Sequence, residues 1–196
     1  MRRIAAYFLL GLLPVGAAAQ DALRSFVDRM KGEPASFEYS FSTSGSSTPF
    51  SGSGEAWVCG SSYRVLGNGL DIRCDGSRRC TADPEAGEMV IEGLDSQMLD
   101  FVSNPALVFG NIDQLFSVSS SSGSVYSLAP KFSEGGIKSL EITFSGSLPS
   151  RAAIKASDGS RIEFRLSRFT FGLSKGGVYT FSPEEMGSYK SITDLR

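Results

Sequence analysis

Histidine is absent from the 196-residue sequence, and that one absence removes the commonest general base together with the Ser-His and Cys-His pairs of nucleophilic catalysis. The remaining acid-base candidates are carboxylates, notably Asp71, Asp75, Asp83, Asp95, Asp100 and Asp158. Asp75 and Asp158 each precede a glycine, the arrangement of a tight turn, and need no catalytic role. Serine is plentiful, but no Gly-x-Ser-x-Gly elbow joins a strand to a helix; Gly45-Ser46-Ser47 and Gly52-Ser53-Gly54 read as loop between strands. Three cysteines, Cys59, Cys74 and Cys80, suggest one pair and one leftover. Cys74 and Cys80 flank the short Asp75-Gly76-Ser77 turn, so the expectation is a Cys74–Cys80 disulfide across a hairpin with Cys59 free. Arg73, Arg78 and Arg79 beside these thiols read either as charges that lower a thiol pKa or, as easily, as solvated hairpin charges. A zinc site needs a fourth ligand that a chain without histidine does not offer at ordinary spacing. The expectation is therefore a protein with no catalytic residues, no metal and no cofactor.

The elements that position these residues follow from periodicity. Leu23, Phe26, Val27 and Met30 fall on one helix face, and Gly32 with Pro34 ends that pattern. The period then changes to two: Phe37, Tyr39 and Phe41 alternate with Ser36, Glu38, Ser40 and Ser42. Strands follow over 55–59, 63–66, 70–74, 79–82 and 88–92, joined by short turns such as Gly67-Asn68-Gly69. Short connections of this kind make an antiparallel meander. Between Asp95 and Phe116 the alternation lapses, and Asn104-Pro105 reads as the cap and first turn of a helix carrying Leu107, Val108 and Phe109. Strands resume over 125–128, 137–144, 152–156, 161–171 and 178–181, and the serine-rich stretch 117–124 reads as a hairpin end or exposed strand. Ten to twelve strands with little helix must stack or curl to limit exposed edges.

The first nineteen residues read as a signal peptide: Arg2 and Arg3 precede an apolar run too short to span a bilayer, and Ala17-Ala18-Ala19 supplies the small residues for cleavage. The expected domain is 20–196, with no cysteine at the cleavage site to receive a lipid and no later apolar stretch of membrane length. The expectation is export to a compartment that permits disulfides. Cleavage leaves 17 basic residues against 21 acidic ones, a net charge of −4 without a basic run, which argues against nucleic acid as a partner. About 176 residues suffice for one monomeric domain with a real core.

The inward positions of the strands are rich in aromatic residues. Phe37, Tyr39, Phe41, Trp57, Tyr63, Val65, Ile72, Ile142, Phe144, Phe164 and Leu166 share one sheet face by alternation, and Leu107, Val108 and Phe109 on the helix close over them. A filled core and a ligand cavity both use such residues, and the pattern serves either.

The order of motifs resembles the LolA family of periplasmic lipoprotein carriers. The likeness runs through Ser36-Phe37-Glu38-Tyr39-Ser40-Phe41, then Gly52-Ser53-Gly54-Glu55-Ala56-Trp57-Val58 and Tyr63-Arg64-Val65. It continues with Asp75-Gly76 and Asp83-Pro84, Asn104-Pro105, and Tyr126-Ser127-Leu128-Ala129-Pro130-Lys131. It closes with Tyr179-Thr180-Phe181-Ser182-Pro183 and Ile192-Thr193-Asp194-Leu195-Arg196. Cys80 stands where the family usually has Trp, and Gly60 stands near the place of its cargo-transfer Arg. The resemblance implies a mainly β, single-domain incomplete barrel with helices covering its concave face. It also implies an apolar cavity for the acyl chains of lipoproteins, cargo received from an inner-membrane lipoprotein-releasing ABC transporter, and delivery to an outer-membrane acceptor. A carrier of free lipid, fatty acid or glycolipid on the same scaffold is the alternative, with a hydrolase using carboxylates and a structural envelope module with a filled core as the third and fourth readings.

Overall fold

The computed structural model describes residues 16–45, 48–93, 105–132, 136–172 and 178–196. Most of the signal segment, Ser46-Ser47, Asp95, Asp100 and the Asn104 cap lie outside the described residues, as does the side chain of Leu107.

The chain opens with helix α1 (Gly16–Gly32), which buries Leu23, Phe26 and Met30 on one stripe, at the helical spacing seen in the sequence. Strands β1 (Ala35–Ser44), β2 (Ser51–Cys59), β3 (Ser62–Gly67), β4 (Leu70–Cys74), β5 (Arg78–Asp83) and β6 (Glu88–Gly93) then pair consecutively as an antiparallel meander. The β3–β4 turn places Asn68 at φ 55° and Gly69 at φ 81°, the two left-handed residues that a tight hairpin needs. Two short helices, α2 (Pro105–Gly110) and α3 (Ile112–Leu115), interrupt the sheet. Strands β7 (Phe116–Ser122), β8 (Val125–Pro130), β9 (Ile137–Ser145), β10 (Leu148–Ala156) and β11 (Arg161–Phe171) return, with β11 pairing β1. The last strand, β12 (Ser191–Asp194), adds to the far edge. The result is an unclosed, curled twelve-stranded sheet ordered β12-β6-β5-β4-β3-β2-β1-β11-β10-β9-β8-β7, with few helices.

The C-terminal segment differs from expectation. Residues 178–182 form a turn and loop instead of a strand, and Phe181 reaches the sheet from that loop. It is followed by α4 (Pro183–Gly187) and then by β12, which runs parallel to β6. Ser182 caps α4 in a reciprocal capping box with Glu185, and Pro183 occupies the first turn, so the local sequence starts a helix directly after the stretch where alternation suggests a strand. Among the described residues no helix is long and apolar enough to cross a membrane.

Helices α1 and α2 cover one face of the sheet, the inner face. Phe26 plugs the junction, edge-on to Phe144 (5.8 Å between ring centroids) and Phe169 (5.4 Å), while Phe169 stacks on Phe37 at 4.8 Å. Phe169 joins this face only because of a β-bulge. Arg168 adopts φ 50° and the β1–β11 register shifts between Ser36 and Glu38, which moves the inward set of β11 from Phe164 and Leu166 to Phe169 and Phe171. Each large side chain buried in this way contributes about 1.5–3 kcal/mol.

Glycines in β2 and β3 make room for one ring. Tyr39 lies across Gly54, which pairs with Gly67, and a Cβ on either glycine would come within 2.8 Å or 2.7 Å of the Tyr39 hydroxyl. Gly52-Ser53-Gly54 is thus strand, and its glycines serve packing. Burial raises the Tyr39 phenol to about 12.

Candidate functional site

The residues expected to line a cavity are, with one exception among those described, the packed core itself. Phe37, Tyr39, Phe41, Tyr63, Val65, Ile72, Val108, Phe109, Ile142, Phe144, Phe164 and Leu166 all belong to one buried apolar cluster. The exception is Trp57. Ala56 and Val58 face this cluster, and strand alternation sends Trp57 to the outer face, with the Arg64 guanidinium 5.6 Å from its ring. Ala-Trp-Val is apolar at three successive positions, and pairing with Phe37 puts Ala56 inward.

An opening does exist, but at the β7–β8 end of the inner face. A cleft of about 790 Å³ lies beneath α1, walled by Leu23 and Val27 from the helix, Ile112 from α3, Phe116 and Val118 from β7, and Tyr126 and Leu128 from β8. Among the described residues, none of the expected cavity residues lines it. The sequence signal is present in fragments: Leu23 and Val27 are four apart on one helix face, and Phe116/Val118 and Tyr126/Leu128 each alternate with serine. What alternation does not give is how far α1 extends over the sheet.

The mouth of the cleft is charged. Arg24, Asp28, Lys31, Asp113 and Lys131 stand around it together with Ser117. Lys31 Nζ meets Asp113 Oδ2 at 2.5 Å, and Lys131 Nζ donates to the Asp113 carbonyl at 2.5 Å. The hydrogen bond to Asp113 raises the Lys31 pKa. Tyr126 is 1% exposed, and its hydroxyl is buried without a hydrogen-bond partner among the described residues.

The outer face carries a second cluster at the opposite end of the sheet. Cys80, Ala82, Met89 and Ile91 pack under Phe181, with Met186 and Tyr189 beside them. Here lies Asp71, one of the carboxylates considered for acid-base work. It accepts hydrogen bonds from both Arg64 (2.9 and 2.8 Å) and Arg73 (2.9 Å from Nη2), and Arg73 also donates to the Thr180 carbonyl at 2.7 Å and to Glu185 Oε1 at 2.9 Å. The Arg73 guanidinium also sits 3.9 Å from the Phe181 ring centroid. Asp71 is thus the hub of an ion-pair clasp holding the C-terminal segment. Asp75 serves its turn: burial opposes ionisation, but hydrogen bonds from Ser77 and Arg78 with the Arg78 charge outweigh it and hold the carboxyl at about 2.

The expected Cys74–Cys80 bridge is not formed; all three cysteines are free. The β4–β5 register sets Cys74 opposite Arg79 and Cys80 opposite Arg73, so the two thiols point to opposite faces of the sheet. Cys74 joins the inner cluster and Cys80 the outer one. Burial pushes both thiols up in pKa, away from reactivity.

No protein-family model and no curated protein matches the chain. Among solved structures it is similar to an uncharacterized conserved protein from Thermus thermophilus (TM-score 0.54, 9% identity, covering 89% of this chain and 98% of that one). It is also matched to a LolA superfamily protein from Nitrosomonas europaea (TM-score 0.47, 11% identity, 83% of this chain and 97% of that one). A third match is a putative outer membrane lipoprotein-sorting protein domain from Vibrio parahaemolyticus (TM-score 0.44, 8% identity, 82% and 94%). The Thermus protein shares the fold; identities this low speak to fold alone.

Proposed function

We propose that the protein is a periplasmic carrier that shelters the acyl chains of lipoproteins from water, taking them from an inner-membrane ABC transporter and surrendering them to the outer membrane. The observation that carries this reading is the cleft beneath α1, an opening walled largely by apolar side chains on the inner face of the curled sheet, together with the ordered LolA-like motifs. A signal peptide over residues 1–19 would deliver the chain to that compartment. The energetics require such a shelter: at about 0.8 kcal/mol per methylene, an acyl chain of about 16 carbons left in water costs more than about 10 kcal/mol. Release requires that the cleft bind less favourably than the acceptor, which suits an apolar wall with a mobile cargo better than a polar grip.

The test is release of a radiolabelled lipoprotein from spheroplasts by the purified protein, beside the same cargo lacking its acyl chains. Only the acylated form should enter solution, in proportion to carrier added. Val27→Glu places a carboxylate on the helical wall of the cleft at a half-buried position and should abolish release while the circular-dichroism spectrum is kept. Release of both forms, or of neither, sinks the reading.

A further inference from the structure

The carrier reading does not say which lipid the cleft itself prefers, and the size and charge of the opening bear on that. Sites for one small molecule run about 300–1,000 Å³, so a cleft of about 790 Å³ has room for an acyl chain. Its walls are aliphatic and aromatic: Leu23, Val27, Ile112, Phe116 and Leu128 offer no charge. Its mouth carries three cations, Arg24, Lys31 and Lys131, against two carboxylates, Asp28 and Asp113, an excess of one positive charge. This local excess stands against a chain whose formal net charge is −2.

The lysine geometry shows what the mouth holds. Lys31 already grips a carboxylate, that of Asp113, from a half-exposed position where the partner can be exchanged. Lys131 donates to the Asp113 main-chain carbonyl, a neutral acceptor that leaves the ammonium charge uncompensated by that bond. We propose that the cleft binds a single-chain carboxylic acid of fatty-acid type, its chain along the α1–β8 wall and its carboxylate between Lys31 and Lys131. The proposal shares the cleft with the carrier reading but not its cargo. Binding of a free acid can stand where lipoprotein release fails, and the reverse.

The experiment uses the full mature chain and a dansyl-labelled undecanoic acid whose fluorescence rises on burial. Competitors are palmitate, hexadecanol, hexadecylamine and palmitoyl lysophosphatidic acid. Palmitate should displace the probe at about tenfold lower concentration than hexadecanol, with hexadecylamine weaker still, and the difference should shrink as salt rises. In the double variant Lys31→Gln/Lys131→Gln the preference of acid over alcohol should fall to about twofold while hexadecanol binds as before, since the apolar wall is untouched. Equal displacement by acid and alcohol in the parent overturns the proposal. So does a preference that survives the double substitution. Displacement by lysophosphatidic acid at markedly lower concentration than palmitate also overturns it, in favour of a phosphate-headed ligand. Failure of every competitor to displace a bound probe would place the probe elsewhere and overturn it as well.

Discussion

Arg73→Gln should loosen the C-terminal segment without dismantling the sheet. Arg73 is 7% exposed as a residue and makes four kinds of contact: a shared carboxylate at Asp71, the Thr180 carbonyl, Glu185 and the Phe181 ring. Breaking a buried ion pair costs about 3–5 kcal/mol when a charge is left uncompensated. Asp71 keeps Arg64 as a two-bond partner, so the lower figure applies, about 3 kcal/mol. With a urea dependence of about 2 kcal/mol per molar, the unfolding midpoint should drop by about 1.5 M. Local release has its own readout, because Cys80 is covered from the outer face by Phe181 and its neighbours while Cys74 is buried on the inner face. In a Cys59→Ser background, Arg73→Gln should speed maleimide labelling of Cys80 in native buffer and leave Cys74 protected, as peptide mapping distinguishes. A midpoint shift below about 0.5 M with Cys80 as slow as in the parent would refute the clasp. Equal acceleration of both cysteines would mean global unfolding instead.

Three further outcomes are expected. Gly54→Ala puts a Cβ 2.1 Å from the Leu66 carbonyl and 2.8 Å from the Tyr39 hydroxyl, and should lower stability by about 2 kcal/mol or more in urea titration. The purified protein denatured without reductant should titrate three thiols with Ellman's reagent, and peptide mapping should find no Cys74–Cys80 bridge. Asp75→Ala should destabilise the protein in a pH-dependent way: the folded carboxyl is depressed to about 2 from 3.8, so its contribution is complete above the unfolded value and disappears as pH falls toward the folded one. The stability difference between parent and variant should therefore be constant near neutrality and narrow between about pH 4 and about pH 2, as measured by denaturant titration at each pH.

The strands and α1 are legible in the sequence because burial in this fold follows simple periods. Phe37, Tyr39 and Phe41 alternate inward without interruption, and Leu23, Phe26 and Met30 recur at helical spacing. Periodicity misleads where one residue decides a register. Cys74 and Cys80 look opposed across a short turn, yet the turn sets Cys74 against Arg79 and a one-residue offset inverts the face. Trp57 is ambiguous because its neighbours are also apolar, and Phe181 misleads because its aromatic alternation lies in a loop that docks by the Arg73 cation–π contact. The cleft is illegible for a different reason: its walls come from α1, α3, β7 and β8, and the helix that roofs it is far in the chain from the rest, so their juxtaposition depends on the curl of the whole sheet.

The position of the cleft follows from how the sheet's two faces are covered. The C-terminal segment seals the outer face at β4–β6 by apolar packing and the Arg73 clasp, while α1 and α2 seal the inner face around Phe26. Beyond Phe26, toward β7, α1 presents Arg24, Asp28 and Lys31 to the mouth, and charged side chains at that edge do not complete an apolar seal. What joins α1 to α3 there is the Lys31–Asp113 pair, with side chains 50% and 37% exposed. Exposed pairs contribute about 0–1 kcal/mol, far less than the aromatic plug. Opening the mouth therefore disturbs a weak contact and leaves the strong ones intact. The proposed carrier role calls for this ordering of strengths: a wall that stays rigid, and a latch over it that can be exchanged against a ligand head group at small cost in free energy.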